Sequence, residues 1–297
     1  MPFWFACPHC GLETWVTEEY AGRSGPCARC GRLVAVPGLR EPGGPGWRNP
    51  SLAAALVLFA LVLAAGIGML GLLAYLLVAG PRAGHELQHT QCAANLRRIG
   101  RALYSYHKVY GAFPPAVTTD AQGRPMLSWR VLILPFLEEH SLYTQYDRSQ
   151  PWNSPSNLAL VAQAPSVYGC PAGSAPGETS YLMVVGPGTV GGRPNESVSL
   201  AGISDGASNT ILVVEVVGAR VRWTEPRDLP VETAARVLND GSGLGPSSAH
   251  AAGVNVLLCD GSVEVLSPRI PVEVLRGMYL HSDGTVPGGP SFTQPAP

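Results

Sequence analysis

The chain has 297 residues, a formal net charge of −1 and only 14% charged residues. So balanced a chain lacks the cationic excess with which nucleic-acid binders neutralise phosphates, and its charged fraction lies below the ~25% usual for soluble domains. Glycine (35) and proline (28) together exceed a fifth of the chain, which points to a loop-rich fold rather than a helical bundle.

The N-terminus carries Cys7-Pro8-His9-Cys10-Gly11 and then Cys27-Ala28-Arg29-Cys30-Gly31, a C-x2-C-x16-C-x2-C pattern. Each pair forms a knuckle that presents two thiolates, and the glycine after it lets the backbone turn around an ion. Four thiolates suit tetrahedral zinc at about 2.3 Å and leave no open position for a reacting water, so the metal expected on Cys7, Cys10, Cys27 and Cys30 is structural Zn2+. Iron in a rubredoxin-like site has similar spacing, and two disulfides would need an oxidising compartment. A segment this short has too little core to fold alone, so metal binding would supply its folding energy. His9 reads as a spacer. The segment resembles the small zinc ribbons that precede many bacterial membrane proteins, through Cys7 to Gly11, Ala21 to Arg23, Cys27 to Gly31 and Val36-Pro37. The ribbon is placed at 1–37, followed by a Gly/Pro linker over 38–50 in which Trp47 and Arg48 suit a membrane interface.

No charged residue lies between Arg48 and Arg82, and Leu52 to Ala79 is apolar on every side. A helix of that length reaches roughly 40 Å, against about 30 Å for a bilayer's hydrocarbon core. One transmembrane helix is expected over 51–80. Arg29, Arg32, Arg40 and Arg48 precede it against a single Glu41, whereas only Arg82 follows closely. The bias puts the N-terminus in the cytoplasm, where thiolates stay reduced, and puts residues 81–297 outside. There Cys92 and Cys170 are candidates for a disulfide, with Cys259 left over.

After a break expected at Pro81 and Gly84, Leu96, Ile99, Leu103, Tyr106 and Tyr110 recur at helical spacing, and Gly111 and Pro114-Pro115 end the helix. His107 beside this stripe reads as a packed or half-exposed residue. Residues 127–147 read as a second helical region interrupted at Pro135, with Glu138 and Glu139 on a solvated face. Strands are expected at 179–186 and from Thr210 to Val217, the latter interrupted by Glu215, read as an edge charge or the partner of a buried cation. Val254 to Cys259 and Ser262 to Leu266 flank Asp260-Gly261, the pair typical of a two-residue type I′ hairpin. His250, Asp260 and Ser262 are the ingredients of a hydrolase triad, but no nucleophile elbow accompanies them. Residues 283–297 read as a disordered tail.

Several ordered motifs in this outer region resemble the DUF1559 family, abundant in planctomycete-type bacteria and related to pseudopilins of type II secretion. They are Gln91 to Leu96 with Ile99-Gly100 and Leu103, Tyr106-His107, Tyr110 to Pro115, Ser128 to Val131, Leu134 to Glu138, Cys170-Pro171, Thr179 to Tyr181, Asp205 to Thr210, and His250 with Asp260-Gly261. The resemblance covers 85–268. It implies an α+β, pilin-like domain whose long N-terminal helix packs on an antiparallel sheet. Asn49-Pro50-Ser51-Leu52 lacks the processing site and early Glu of pilin-like members. The expected protein is therefore a single-pass, membrane-anchored structural or interaction protein. It would meet the bilayer and protein partners, with no nucleic acid, no small-molecule substrate and no enzymatic activity. A pseudopilin of a secretion or pilus system and an extracytoplasmic enzyme are the alternatives.

Overall fold

The computed structural model describes residues 1–38, 50–234, 238–240, 245–284 and 293–295. Most of the linker, with Trp47 and Arg48, lies outside the described residues. The chain divides into two compact units, Met1–Leu72 and Leu73–Pro297.

In the first unit, β1 (Phe3–Ala6) pairs with β2 (Glu13–Val16), and β3 (Ser24–Pro26) with β4 (Leu33–Ala35). Among the described residues here, the buried cluster comprises Cys7, Cys27 and Val34, too little apolar burial to hold some forty residues by itself. Helix α1 (Pro50–Tyr110) follows. Its stretch Leu52–Leu76 has a mean hydropathy of 2.7 and no buried residue, and is long and apolar enough to cross a membrane. The break expected near Pro81 is absent, and the helix continues through it. A proline removes one i→i−4 hydrogen bond, and here the long helical runs on both sides outweigh that loss. The helix stops where Gly111 takes φ 80°, its N–H bonded to the His107 carbonyl.

In the second unit the chain forms the hairpin β5 (Val117–Thr119) and β6 (Pro125–Ser128), then short helices α2 (Trp129–Leu132), α3 (His140–Gln145) and α4 (Pro155–Leu158). Then come β7 (Glu178–Thr179), β8 (Tyr181–Val185), β9 (Ile211–Glu215), β10 (Val221–Arg222), β11 (Leu229–Pro230) and α5 (Val231–Ala234). The chain closes with β12 (Val254–Leu258), β13 (Val263–Leu266), α6 (Val272–Tyr279) and β14 (Thr293–Pro295). The main sheet has the order β11-β8-β9-β12-β13-β14. It departs from a wholly antiparallel sheet at β11, which runs parallel to β8 because the connection from β9 crosses to the far side of β8. Residues 293–295, read as part of a disordered tail, pair with β13; the tail residues on either side, 285–292 and 296–297, lie outside the described residues.

Both faces of this sheet are covered. Cys92, Ala93, Leu96, Ile99 and Leu103 of α1 are fully buried in one cluster with Met183, Val213 and Leu257. At about 1.5–3 kcal/mol for each large aliphatic side chain, the three Leu and Ile residues alone contribute roughly 5–9 kcal/mol. Leu275, Met278 and Tyr279 of α6 pack with Leu182, Val214 and Val256 in a second cluster. Two-sided burial is why β9 and β12 read as near-continuous apolar runs.

The β12–β13 connection differs from the expected type I′ turn. That turn needs positive φ at both central residues, and only Gly261 (φ 90°) has it. Gly261 N–H bonds the Leu258 carbonyl and Leu258 N–H the Ser262 carbonyl, which makes a three-residue loop with the glycine at its left-handed corner. Asp260-Gly261 satisfies either turn; the aspartate's φ decides.

Candidate metal centres

The first centre is built by two equivalent knuckles. Cys7 N–H bonds the Leu12 carbonyl and Gly11 N–H the Cys7 carbonyl; Cys27 N–H bonds Arg32 and Gly31 N–H bonds Cys27 in the same way. Gly11 (φ 66°) and Gly31 (φ 67°) both take the left-handed conformation that a side chain would strain. The result brings the four sulfurs within 4.8 Å of one another. Cys7 and Cys30 Sγ are 3.9 Å apart, and Cys10 and Cys27 Sγ 3.7 Å. Bonds of 2.3 Å to a tetrahedral ion would set sulfurs roughly 3.8 Å apart, whereas a disulfide needs about 2.05 Å. Backbone N–H groups of Cys30 and Arg29 hold the Cys27 thiol down at about 6, whereas, against the Leu12 N–H, burial and the other three thiols push Cys10 up to about 11. These four residues can hold a metal ion; His9 is not among them.

A second convergence lies inside the second unit, Leu73–Pro297. Cys92 on α1, Cys170 in the loop after α4, Glu215 at the end of β9 and His250 before β12 place donor atoms within 4.8 Å of one another. All four are buried. His250 Nε2 lies 3.3 Å from Cys170 Sγ and 3.7 Å from Glu215 Oε1. Asn255 Nδ2 donates to Glu215 Oε2 at 2.7 Å, and Asn255 N–H reaches the same oxygen at 3.3 Å. His89 Nε2 bonds Asn255 Oδ1 at 3.1 Å, which fixes that amide. Tyr181 OH donates to Cys92 Sγ at 3.1 Å. Glu215 Oε1 has no hydrogen-bond partner. Burial pushes the Glu215 carboxyl up to about 7. The Cys92 thiol beside it and, against the cost of burial, His250 hold Cys170 down at about 4. Cys92 is pushed far up by Cys170 and by burial.

Glu215 therefore does not sit at an edge: β9 lies between β8 and β12. The structure brings Cys92 and Cys170 together, as the disulfide candidate requires, but as free thiols accompanied by Glu215 and His250, which could also ligate a metal. His250 turns to Cys170, while Asp260 Oδ1 accepts hydrogen bonds from the Ser262 N–H and hydroxyl. His107 Nε2 accepts from the Leu200 N–H.

A family model described as "Protein of unknown function (DUF1559)" matches residues 89–193 and 183–273, together more than half of the chain. The chain belongs to the DUF1559 family. Neither the curated proteins nor the solved structures contain a match. All four residues of the buried cluster fall within the DUF1559 match, and the Cys7–Cys30 centre falls outside it. The second cluster left no local signal in the sequence. Its nearest clue is one carboxylate, Glu215, set in an apolar strand.

Proposed function

We propose that this DUF1559 protein is a single-pass, membrane-anchored interaction protein. Its ribbon is cytoplasmic and holds a structural zinc on Cys7, Cys10, Cys27 and Cys30; its pilin-like DUF1559 domain is extracytoplasmic. One observation carries the reading: Leu52–Leu76 offers a fully apolar surface of which nothing is buried against the rest of the chain. Soluble monomers rarely expose an apolar patch beyond a few hundred Å2, and a bilayer is the medium in which such a surface is stable. The arginines before the helix support the orientation, and the sulfur spacing together with four thiolate donors supports zinc. Trp4 and Trp15 meet edge-on at 5.2 Å and remain more than half exposed. With Tyr20 and Leu33, also exposed, they give the ribbon the aromatic surface that protein partners favour. A non-enzymatic reading draws support from His250 and Ser262 each being engaged with other residues rather than with one another, so that they form no hydrolase triad.

Topology is tested with single reporter cysteines at two exposed positions, Glu19→Cys and Gln122→Cys. The native Cys92, Cys170 and Cys259 are buried and silent in the folded chain. On intact cells a membrane-impermeant maleimide is expected to label Gln122→Cys alone; labelling of Glu19→Cys would reverse the orientation. The unbroken α1, apolar in its first half and sheet-packed in its second, favours a pseudopilin as second reading. Recovery of a secretion ATPase or assembly platform with the native protein would move the assignment there.

A further inference from the structure

We infer that Cys92, Cys170, Glu215 and His250 form a second metal site, a closed four-ligand centre for a divalent ion of the zinc class. Its spacing fits: a tetrahedral zinc with bonds of 2.0–2.3 Å sets its ligand atoms roughly 3.3–3.8 Å apart, and the two separations flanking His250 Nε2 are 3.3 and 3.7 Å. Two sulfurs, one imidazole nitrogen and one carboxylate oxygen suit zinc better than magnesium or calcium, which take oxygen, or copper(I), which takes thiolate and thioether. The free oxygen also fits. Glu215 is fully buried, its Oε2 is held by Asn255, and Oε1 points into the cluster 3.7 Å from His250 Nε2, with no hydrogen-bond partner. A buried carboxylate oxygen so placed is costly unless a cation meets it. A disulfide between Cys92 and Cys170 would leave that oxygen without a hydrogen bond, facing His250 at 3.7 Å.

The supporting residues are those a metal site requires. Tyr181 orients the Cys92 sulfur, and the His89–Asn255 pair orients the carboxylate, as outer-shell partners commonly do. Binding displaces into solvent whatever protons the Cys92 and Cys170 thiols, His250 and Glu215 carry, and the ion takes their place. With four protein ligands no position remains for substrate. The ion fastens α1, through Cys92, to the sheet and loops that carry the other three ligands.

The test uses the full chain in detergent, purified from zinc-supplemented cells, with Cys7→Ser/Cys27→Ser introduced to empty the ribbon without touching the outer domain. This variant is expected to retain about one zinc per chain by elemental analysis, and to lose it when His250→Ala is added. Glu215→Gln keeps the side-chain volume and is expected to weaken zinc retention against a chelator at least ~10-fold. After unfolding in chelator, Cys92 and Cys170 should both react with maleimide without reductant. Absence of zinc from the ribbon-emptied protein would overturn the site, and so would a peptide in which Cys92 and Cys170 are linked and separate only on reduction. Failure of the ribbon itself would look different: the wild type and the ribbon-emptied variant would then carry equal zinc.

Discussion

Arg130 is the side chain whose removal should hurt the DUF1559 domain most per atom. It is fully buried. Its guanidinium donates through Nη2 to Asp228 Oδ1 at 2.6 Å and to the Tyr181 carbonyl at 3.1 Å. Nη1 reaches Ser128 Oγ at 2.7 Å and the Glu225 carbonyl at 3.3 Å, and Nε adds a bond to Tyr181 at 3.2 Å. Asp228 Oδ1 also accepts from Trp129 Nε1 and from the Met183 N–H. One ion pair therefore joins α2, β8 and the loop before β11. Arg130→Met keeps an apolar stem but leaves a carboxylate uncompensated, and breaking a buried pair from one side costs about 3–5 kcal/mol. Asp228→Leu should cost a similar amount by stranding the guanidinium. The double substitution strands neither charge. The carbonyls and N–H groups that lose partners still cost ~1–3 kcal/mol each, so the double variant should resemble a single one and fall well short of the sum. Denaturant unfolding of the full chain in detergent, followed by fluorescence of the buried Trp129 and Trp223, measures all three. A loss under ~1 kcal/mol for Arg130→Met, or strict additivity in the cycle, would refute the reasoning.

The remaining predictions concern glycines and the ribbon. At Gly253 (φ 139°) a Cβ would collide with the Leu266 carbonyl oxygen, so Gly253→Ala should cost more than ~3 kcal/mol. Gly111 has φ 80° but open space around it, and Gly111→Ala should cost only the ~1–2 kcal/mol of the left-handed backbone; equal losses at the two sites would contradict this contrast. Gly100 sits where an added Cβ would lie 2.8 Å from Leu257 Cδ1. Overpacking there should outweigh the ~1 kcal/mol gained in helix propensity, and a more stable Gly100→Ala by thermal unfolding would show that Leu257 moves aside freely. Chelation should abolish amide protection in β1–β4 while β8 and β9 keep theirs in hydrogen exchange; protected ribbon hairpins in chelator would show that no metal holds them.

What was legible in the sequence was local. The apolar run after residue 51, the stripe from Leu96 to Tyr110 and the paired C-x2-C knuckles each announce themselves within a few turns of chain. The knuckle ligands lie within one short segment, so their spacing is itself the signal. The buried cluster draws its ligands from a helix, two loops and a central strand, and their convergence exists only after β9 pairs with β8 and β12. For the same reason Glu215 could be read as an edge charge: strand order is not written in a strand's own residues. Pro81 misled in the other direction, because a proline's local cost is real but the continuing helix outweighs it.

The two ends of the six-stranded sheet share a property with consequences for assembly. Among the described residues its outermost strands each carry a proline, Pro230 in β11 and Pro295 in β14. A proline offers no N–H for backbone pairing, so each border strand carries one donor fewer than its length would allow. A proline on an edge strand is among the devices that discourage a sheet from growing into its neighbours, and this sheet carries one at each border.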